Sequence, residues 1–373
     1  MQTFHKENIM NTSFIVPENI ITEIHNHTFH ANQLLQNEYL WQLSYSKSLR
    51  SRNLIKYFSD LNIKYLKTKV FIVGKTLANT HIELNDEYSE RRLNSTDIAN
   101  PSYDLIQDLG GSIVFITSGE TDSIDKRNSF ASIFEKCPNT IFIGWDTDNH
   151  HALYSSLFLA AYTDIYCPTH LDNLYAISRF NNKFRPVYSG SIMWTRRYIQ
   201  DNVGKIYGSH RKSTPHGLHR MYSIFPFRNN VVVTLNKFYD SIGFQDSDLS
   251  IHETADDYFS TLCTHKLHWV IPTLNDLSIR VFDILTTGGI PLVPEALRHD
   301  PALFGLDDAD IIFYDANDII DPKIIVDHGL KLFDMNGQLG IARRFIFGLN
   351  SHSDRRLTQS LGFAKREFFK SID

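Results

Sequence analysis

Residues 267–294 place two short apolar runs, Leu267 to Ile271 and Ile290 to Val293, on either side of one helix-length window. The first run is closed by Pro272, and the second is bounded by Gly288, Gly289 and Pro294. Continuous apolar runs of this length, separated by a helical window, fit buried parallel strands joined by a crossover helix. The window has its own start and stop signals. Asn275 or Asp276 can cap its first turn, and Gly288 follows where a left-handed residue is favoured.

At 3.6 residues per turn, Asp276, Arg280, Asp283 and Thr287 fall on one narrow stripe, while Leu277, Ile279, Val281, Phe282, Ile284 and Leu285 cover the remaining circumference. The stripe has two readings. It is either a solvated face with an i, i+4 or i, i+3 ion pair, or part of a ligand site. The second is favoured because the helix starts beyond the carboxyl end of a strand, where open α/β sheets bind ligands and free N–H groups attract phosphate.

The run Ser278-x-Arg280-x-x-Asp283 followed by Gly288-Gly289-Ile290-Pro291-Leu292-Val293 resembles the donor-site signature of GT-B glycosyltransferases. The resemblance is to small bacterial family-1-like enzymes and, more distantly, to exostosin-type ones. It implies two Rossmann-like α/β domains with parallel sheets facing across a cleft. It also implies a nucleotide-diphosphate sugar as co-substrate, with no bound cofactor and no metal requirement. By the same resemblance Asp283 contacts the ribose, the helix start with Asn275, Asp276, Ser278 and Arg280 faces the diphosphate, and the Gly288-Gly289 turn before Pro291 shapes the sugar pocket. Many retaining members carry two glutamates eight positions apart. Asn275 and Asp283 stand there in this chain, so neither retention nor inversion is assigned.

A chain of 373 residues accommodates about two domains. Hydrophobic residues at 42% and charged residues at 21%, with four Trp, 17 Tyr and 26 Phe, describe an ordered globular protein. A net charge of -5 leaves no general electrostatic footprint for nucleic acid. Cys137, Cys167 and Cys263 are too scattered for a disulfide framework or a zinc knuckle, which fits a reducing cytoplasm. No signal peptide opens the sequence, and no run of ~18 apolar residues is present. A cytoplasmic protein is expected, with peripheral association at the inner face of a membrane left open; oligomeric state is not indicated.

From Lys69 onward, apolar runs alternate with helical windows: Val70 to Val73, Ile113 to Thr117, Thr140 to Gly144, Ile165 to Cys167 and Pro186 to Tyr188. A second series is expected at Val203 to Tyr207, Val231 to Leu235, Leu267 to Ile271, Ile290 to Val293 and Ile311 to Tyr314. These counts suggest one domain over 1–190, which includes a helical extension with an amphipathic stretch from Asn32 to Asn62, a second over 191–350 and a terminal helix over 351–373. The resemblance implies that the first is the acceptor side and the second the nucleotide-sugar side. In the resembled fold that helix often returns to the first domain.

Glycosyl transfer with inversion needs a carboxylate or imidazole to accept the acceptor hydroxyl's proton. Trp145-Asp146-Thr147-Asp148-Asn149-His150-His151 follows a buried-looking strand, making Asp148 and His151 the leading base candidates and Asp146 a third. The bland alternative is a helix cap at Asp148 or Asn149 with histidines on an exposed first turn. A metal-dependent hydrolase built on Asp146, Asp148, His150 and His151 is a rival reading, although consecutive residues converge poorly on an ion. Another rival is a protein that retains the nucleotide pocket without turnover.

Gly208-Ser209-His210-Arg211-Lys212 could hold diphosphate, with His210 as candidate, or be a solvated loop. Arg228 is a further phosphate candidate, or else a surface turn residue. Glu23, His25, His27 and His30 read as an irregular loop with exposed imidazoles. The expected partners are a nucleotide sugar and a glycan, lipid-linked or protein acceptor, with surface-polysaccharide assembly as the setting.

Overall fold

The computed structural model describes residues 39–61, 67–74, 84–147, 149–150, 152–187, 190, 193–245, 254–274 and 276–369. The Glu23 to His30 cluster and the start of the Asn32 to Asn62 stretch lie outside these residues; Tyr39–Asp60 is helical.

Five parallel strands form the first sheet: β1 Thr68–Val73, β2 Tyr88–Leu93, β3 Ile113–Thr117, β4 Ile141–Asp146 and β5 Ile165–Pro168. Their spatial order is β2-β1-β3-β4-β5. Period-two alternation divides the side chains between two cores. Val70, Ile72, Ile113, Phe115, Ile141 and Ile143 point to one face. Phe71, Val73, Val114, Ile116 and Phe142 point to the other. With both faces covered, β3 is buried along its whole length and reads as an unbroken apolar run.

β2 shows why it is absent from the sequence reading. Its residues Tyr88-Ser-Glu-Arg-Arg-Leu93 are mostly polar because it is an edge strand, and only its two ends are buried. At the other edge, the Arg185 and Val187 amides donate to Tyr166 and Pro168 carbonyls. The expected Pro186 strand is thus extended chain running alongside β5.

The second unit is built on β8 Leu267–Trp269, β9 Ile290–Pro294 and β10 Ile312–Tyr314, ordered β10-β9-β8. Parallel bridges Lys212↔His265 and His216↔His268 lay residues 212–216 beside β8. The chain continues into β6 His219–Arg220, which pairs with β7 Phe244–Gln245.

Two expected strands of this unit are helices. Val203–Gly208 is helical, and Val231 to Leu235 lies within the helix Pro226–Asn236. Pro226 occupies the first turn, where its missing N–H costs nothing. Val231, Val232 and Leu235 are buried while Val233 is exposed, the i, i+1, i+4 pattern of a helix face rather than strand alternation.

The helix Ser353–Phe368 follows the second unit in sequence but packs under the first sheet. Its Leu357, Leu361, Ala364 and Phe368 join Leu54, Phe58, Val70 and Ile72 in one core. The chain therefore passes between the units twice, and the two crossings touch. A Cβ on Gly190 would lie 2.0 Å from the Ser351 carbonyl oxygen, and His352 Nε2 lies 2.6 Å from the Trp194 carbonyl oxygen.

Candidate functional site at the facing strand ends

The carboxyl ends of β4 and β5 carry two loops joined through Asn149. The Asn149 Oδ1 atom accepts from the Thr169 and His170 amides, at 3.1 and 2.9 Å. Its Nδ2 donates to the His170 and Asp172 carbonyls, at 2.7 and 2.9 Å. Asn173, held at φ 59°, donates to the Asn149 carbonyl at 3.0 Å. A fully bonded buried amide fixes both loops and brings the rings of His150 and His170 to a centroid separation of 4.2 Å.

Asp146, the last residue of β4, is fully buried, and the Tyr166 hydroxyl donates to its Oδ2 at 2.6 Å. Burial, followed by this carboxylate, holds the Tyr166 hydroxyl well above the usual phenol range. Asp148 and His151 lie outside the described residues. So does Asn275.

On the facing unit the helix Ile279–Thr286 starts beyond β8, as the spacing predicts. Its cap is Ser278, whose side chain accepts from the Arg280 amide at 3.4 Å, rather than Asp276. Asp276 is thereby released from capping. A ligand atom of its carboxylate and one from each of His150 and His170 all lie within 4.8 Å of one another. The strand ends of the two units face each other across this point.

Beside the helix start, two guanidiniums converge on His219. Arg280 Nη1 lies 3.0 Å and Arg228 Nη2 3.5 Å from His219 Nδ1, while His219 Nε2 lies 3.1 Å from the Trp269 carbonyl oxygen. The partners fix the tautomer: Nε2 carries the proton and donates, and Nδ1 accepts. Burial, then the charges of Arg280 and Arg228, push the His219 pKa well below its ordinary value. The imidazole is a neutral post that holds two cations side by side.

Arg280 Nη1 also donates to the Leu218 carbonyl. Arg228 donates through Nε to the Ile271 carbonyl at 3.1 Å and through Nη1 to the Arg220 carbonyl. Being 8% exposed, Arg228 is not a surface turn residue. Sequence reasoning missed His219. Its signal was Gly217-Leu218-His219-Arg220, a glycine-led turn, but the preceding strand was misplaced onto Val203 to Tyr207.

The polar stripe is not a solvated face. Asp283 is 2% exposed and Thr287 is fully buried, its hydroxyl donating to the Asp283 and Ile284 carbonyls at 3.0 Å. Gly288 and Gly289 stand at the far end of the helix. A Cβ there would lie 2.7 Å from Ile341 and from His268, respectively, so both glycines serve close packing in the turn. His210 belongs to that same far edge. It is exposed and precedes Arg211, whose Nη2 donates to the Thr287 carbonyl at 2.6 Å, beyond the helix's C-terminal end. The 208–212 loop therefore lies opposite the rim formed by Asp276, Ser278, Arg280 and Arg228.

No protein-family model matches the chain, and no curated protein matches it in sequence. Solved structures do. An α-glucosyltransferase in complex with UDP and a 13-mer DNA containing a central A:G mismatch superposes with a TM-score of 0.50 at 11% identity, covering 83% of this chain and 94% of that one. The apo structure of OtsA gives 0.49 at 6% identity, covering 79% and 98%. Sucrose-phosphate synthase from Thermosynechococcus elongatus gives 0.45 at 9% identity, covering 81% and 99%. The α-glucosyltransferase match carries the statement that the chain has the GT-B fold, an α/β architecture of two parallel sheets. At these identities the likeness is one of fold.

Proposed function

We propose that the chain is a glycosyltransferase that moves a sugar from a nucleoside-diphosphate donor to an acceptor hydroxyl. One observation carries the reading: Arg280 and Arg228 share the neutral His219 at the start of a helix whose mouth faces the His150 and His170 loops. Paired guanidiniums beside a helix N-terminus suit a diphosphate, which accepts in-plane bonds from Arg and gains from the helix dipole. The matched α-glucosyltransferase holds UDP, in keeping with such a donor.

In this reading the bond from the sugar's anomeric carbon to the diphosphate oxygen breaks as the acceptor oxygen bonds to that carbon. Arg280, half-buried at the helix mouth, stabilises charge on the departing diphosphate, and Arg228, buried and bonded to Ile271, Arg220 and His219, adds its positive field from behind without an ion being needed for that task. The acceptor's proton goes to a base on the loop after β4, Asp148 or His151. Asp146, buried against Tyr166, is set aside from that role. Asp283, at 2% exposure, is a weaker ribose partner than the signature implies, so the donor contact rests on Arg280. The acceptor is a glycan, lipid-linked saccharide or protein, in surface-polysaccharide assembly at the cytoplasmic face of a membrane. Among the described residues no helix is long and apolar enough to cross one.

Calorimetry with UDP, ADP and GDP tests the donor site. One nucleotide is expected to bind, with affinity at least tenfold weaker in Arg280→Ala; unchanged affinity in that variant would sink the reading. Acceptor-dependent release of nucleoside diphosphate then separates a transferase from a protein that binds without turnover.

A further inference from the structure

We infer that His150, His170 and Asp276 form a divalent transition-metal site that bridges the two domains across the cleft. The inference is independent of glycosyl transfer and rests on side chains from three separate loops. His150 follows β4, His170 follows β5 and Asp276 follows β8, yet one ligand atom from each lies within 4.8 Å of the others. Tetrahedral coordination with metal–ligand bonds of about 2.0–2.2 Å needs ligand atoms about 3.4 Å apart. From 4.8 Å, the ligand atoms need to approach by at most roughly 1.5 Å to reach that spacing.

The donor set is selective. Two imidazole nitrogens and one carboxylate suit zinc, manganese or iron, whereas magnesium and calcium favour all-oxygen surroundings. Three protein ligands leave a position open toward the cleft, as in metal sites that also bind a small ligand.

The surroundings are built to hold these ligands. Asn149, next to His150, spends all four of its side-chain hydrogen bonds on backbone groups of residues 169–172, which fixes the two histidine-bearing loops against each other. Ser278 caps the neighbouring helix, so Asp276 is not consumed by capping; its Oδ1 accepts from the Leu274 amide at 3.5 Å, which orients the carboxylate. Asp300 lies within electrostatic reach of His170 and Asp172, adding negative field at the site. Arg228 is the competing cation, since Asp276 acts on it electrostatically.

Consecutive residues of the 146–151 segment do not make this site. Asp146 is turned into the core against Tyr166, and of that segment's described residues His150 alone joins the cluster. Convergence comes instead from the second sheet, through a residue far away in sequence.

The test uses the full chain, stripped with chelator and titrated with Zn2+, Mn2+ and Mg2+ by calorimetry, with elemental analysis of the dialysed protein. One Zn2+ or Mn2+ per chain is expected, at least tenfold tighter than Mg2+. His170→Ala and the near-isosteric Asp276→Asn should each weaken it at least tenfold, while His210→Ala, on the opposite edge, leaves it unchanged. Because the ligands come from both domains, saturating metal should raise the unfolding temperature of the wild type but not of Asp276→Asn. Circular dichroism establishes that each variant is folded before titration. Absence of stoichiometric binding overturns the inference, as does binding that survives both ligand variants or disappears in His210→Ala. Metal binding without nucleotide affinity would leave this site standing while removing the transferase reading.

Discussion

His219 Nδ1 accepts from Arg280 Nη1 at 3.0 Å, and that one contact joins a neutral buried imidazole to a half-buried cation at the helix mouth. Removing the acceptor leaves two guanidiniums facing each other and strands the Trp269 carbonyl. His219→Leu is therefore expected to destabilise the fold by about 1–3 kcal/mol, the usual penalty for buried polar groups left without partners. Urea unfolding checks this, with a lower midpoint at unchanged slope expected. Arg280→Lys retains the charge but loses the planar fork, so nucleotide affinity should fall about tenfold, or ~1.4 kcal/mol, with stability nearly preserved.

The crossing between the domains is pH-sensitive through His352. Its Nε2 donates to the Trp194 carbonyl and its Nδ1 accepts from the Asp354 amide, so the ring is neutral. Burial lowers its pKa from 6.5 to about 4. An unfolded chain protonates this histidine below about pH 6.5 while the folded one does not, so the stabilisation is complete above 6.5 and is lost as pH falls toward 4. At most about 3 kcal/mol is involved, from the ~2.5-unit depression. Unfolding midpoints at pH 7, 5.5 and 4.5 should decline less steeply in His352→Gln than in wild type. Parallel declines would remove His352 from the account.

A second buried network closes the underside of the second unit, behind the Ile279–Thr286 helix. Arg344, fully buried, donates through Nη1 to Asp310 Oδ1 at 3.1 Å and through Nε to the Gly288 carbonyl at 3.0 Å. Arg343 adds bonds to the same carboxylate at 2.9 and 3.1 Å. Asp310→Asn leaves a buried guanidinium without its counter-charge and should cost about 3–5 kcal/mol. Arg344→Met in that background should recover part of the loss, measurable as a double-mutant cycle.

Close helix packing behind the site depends on Gly348. A Cβ there would lie 2.3 Å from the Thr286 hydroxyl oxygen and 2.5 Å from its amide nitrogen. Gly348→Ala forces the Ile279–Thr286 and Lys323–Asn350 helices apart and should destabilise by about 1–3 kcal/mol. Gly204→Ala, in a helix where an added Cβ meets nothing within 4 Å, should be neutral or stabilise by up to about 1 kcal/mol. Thermal unfolding of the pair distinguishes lost packing from a general effect of replacing glycine.

Elements with both faces buried were legible because a strand that must be apolar on every side writes itself as an unbroken run. β3, β4, β8 and β9 are of this kind. β2 was not legible because an edge strand has one neighbour and exposes charge. The Val231 to Leu235 error arose because three consecutive valines satisfy a strand's preference as well as a buried helix face. Only the packing of Val231, Val232 and Leu235 against the core chose between them.

Local patterning by itself determined the β8–helix–β9 unit, strands β1, β3, β4 and β5 of the first sheet and the closing helix, since each depends on periodicity and on signals within a few residues. It also singled out Arg280 and Arg228. The tertiary structure decided what those residues meet: His219 between the two guanidiniums, Ser278 rather than Asp276 as the cap, and Asp276 beside His150 and His170. These contacts join loops from different strands and different domains, and no periodicity within one segment records how the facing ends of two sheets approach each other.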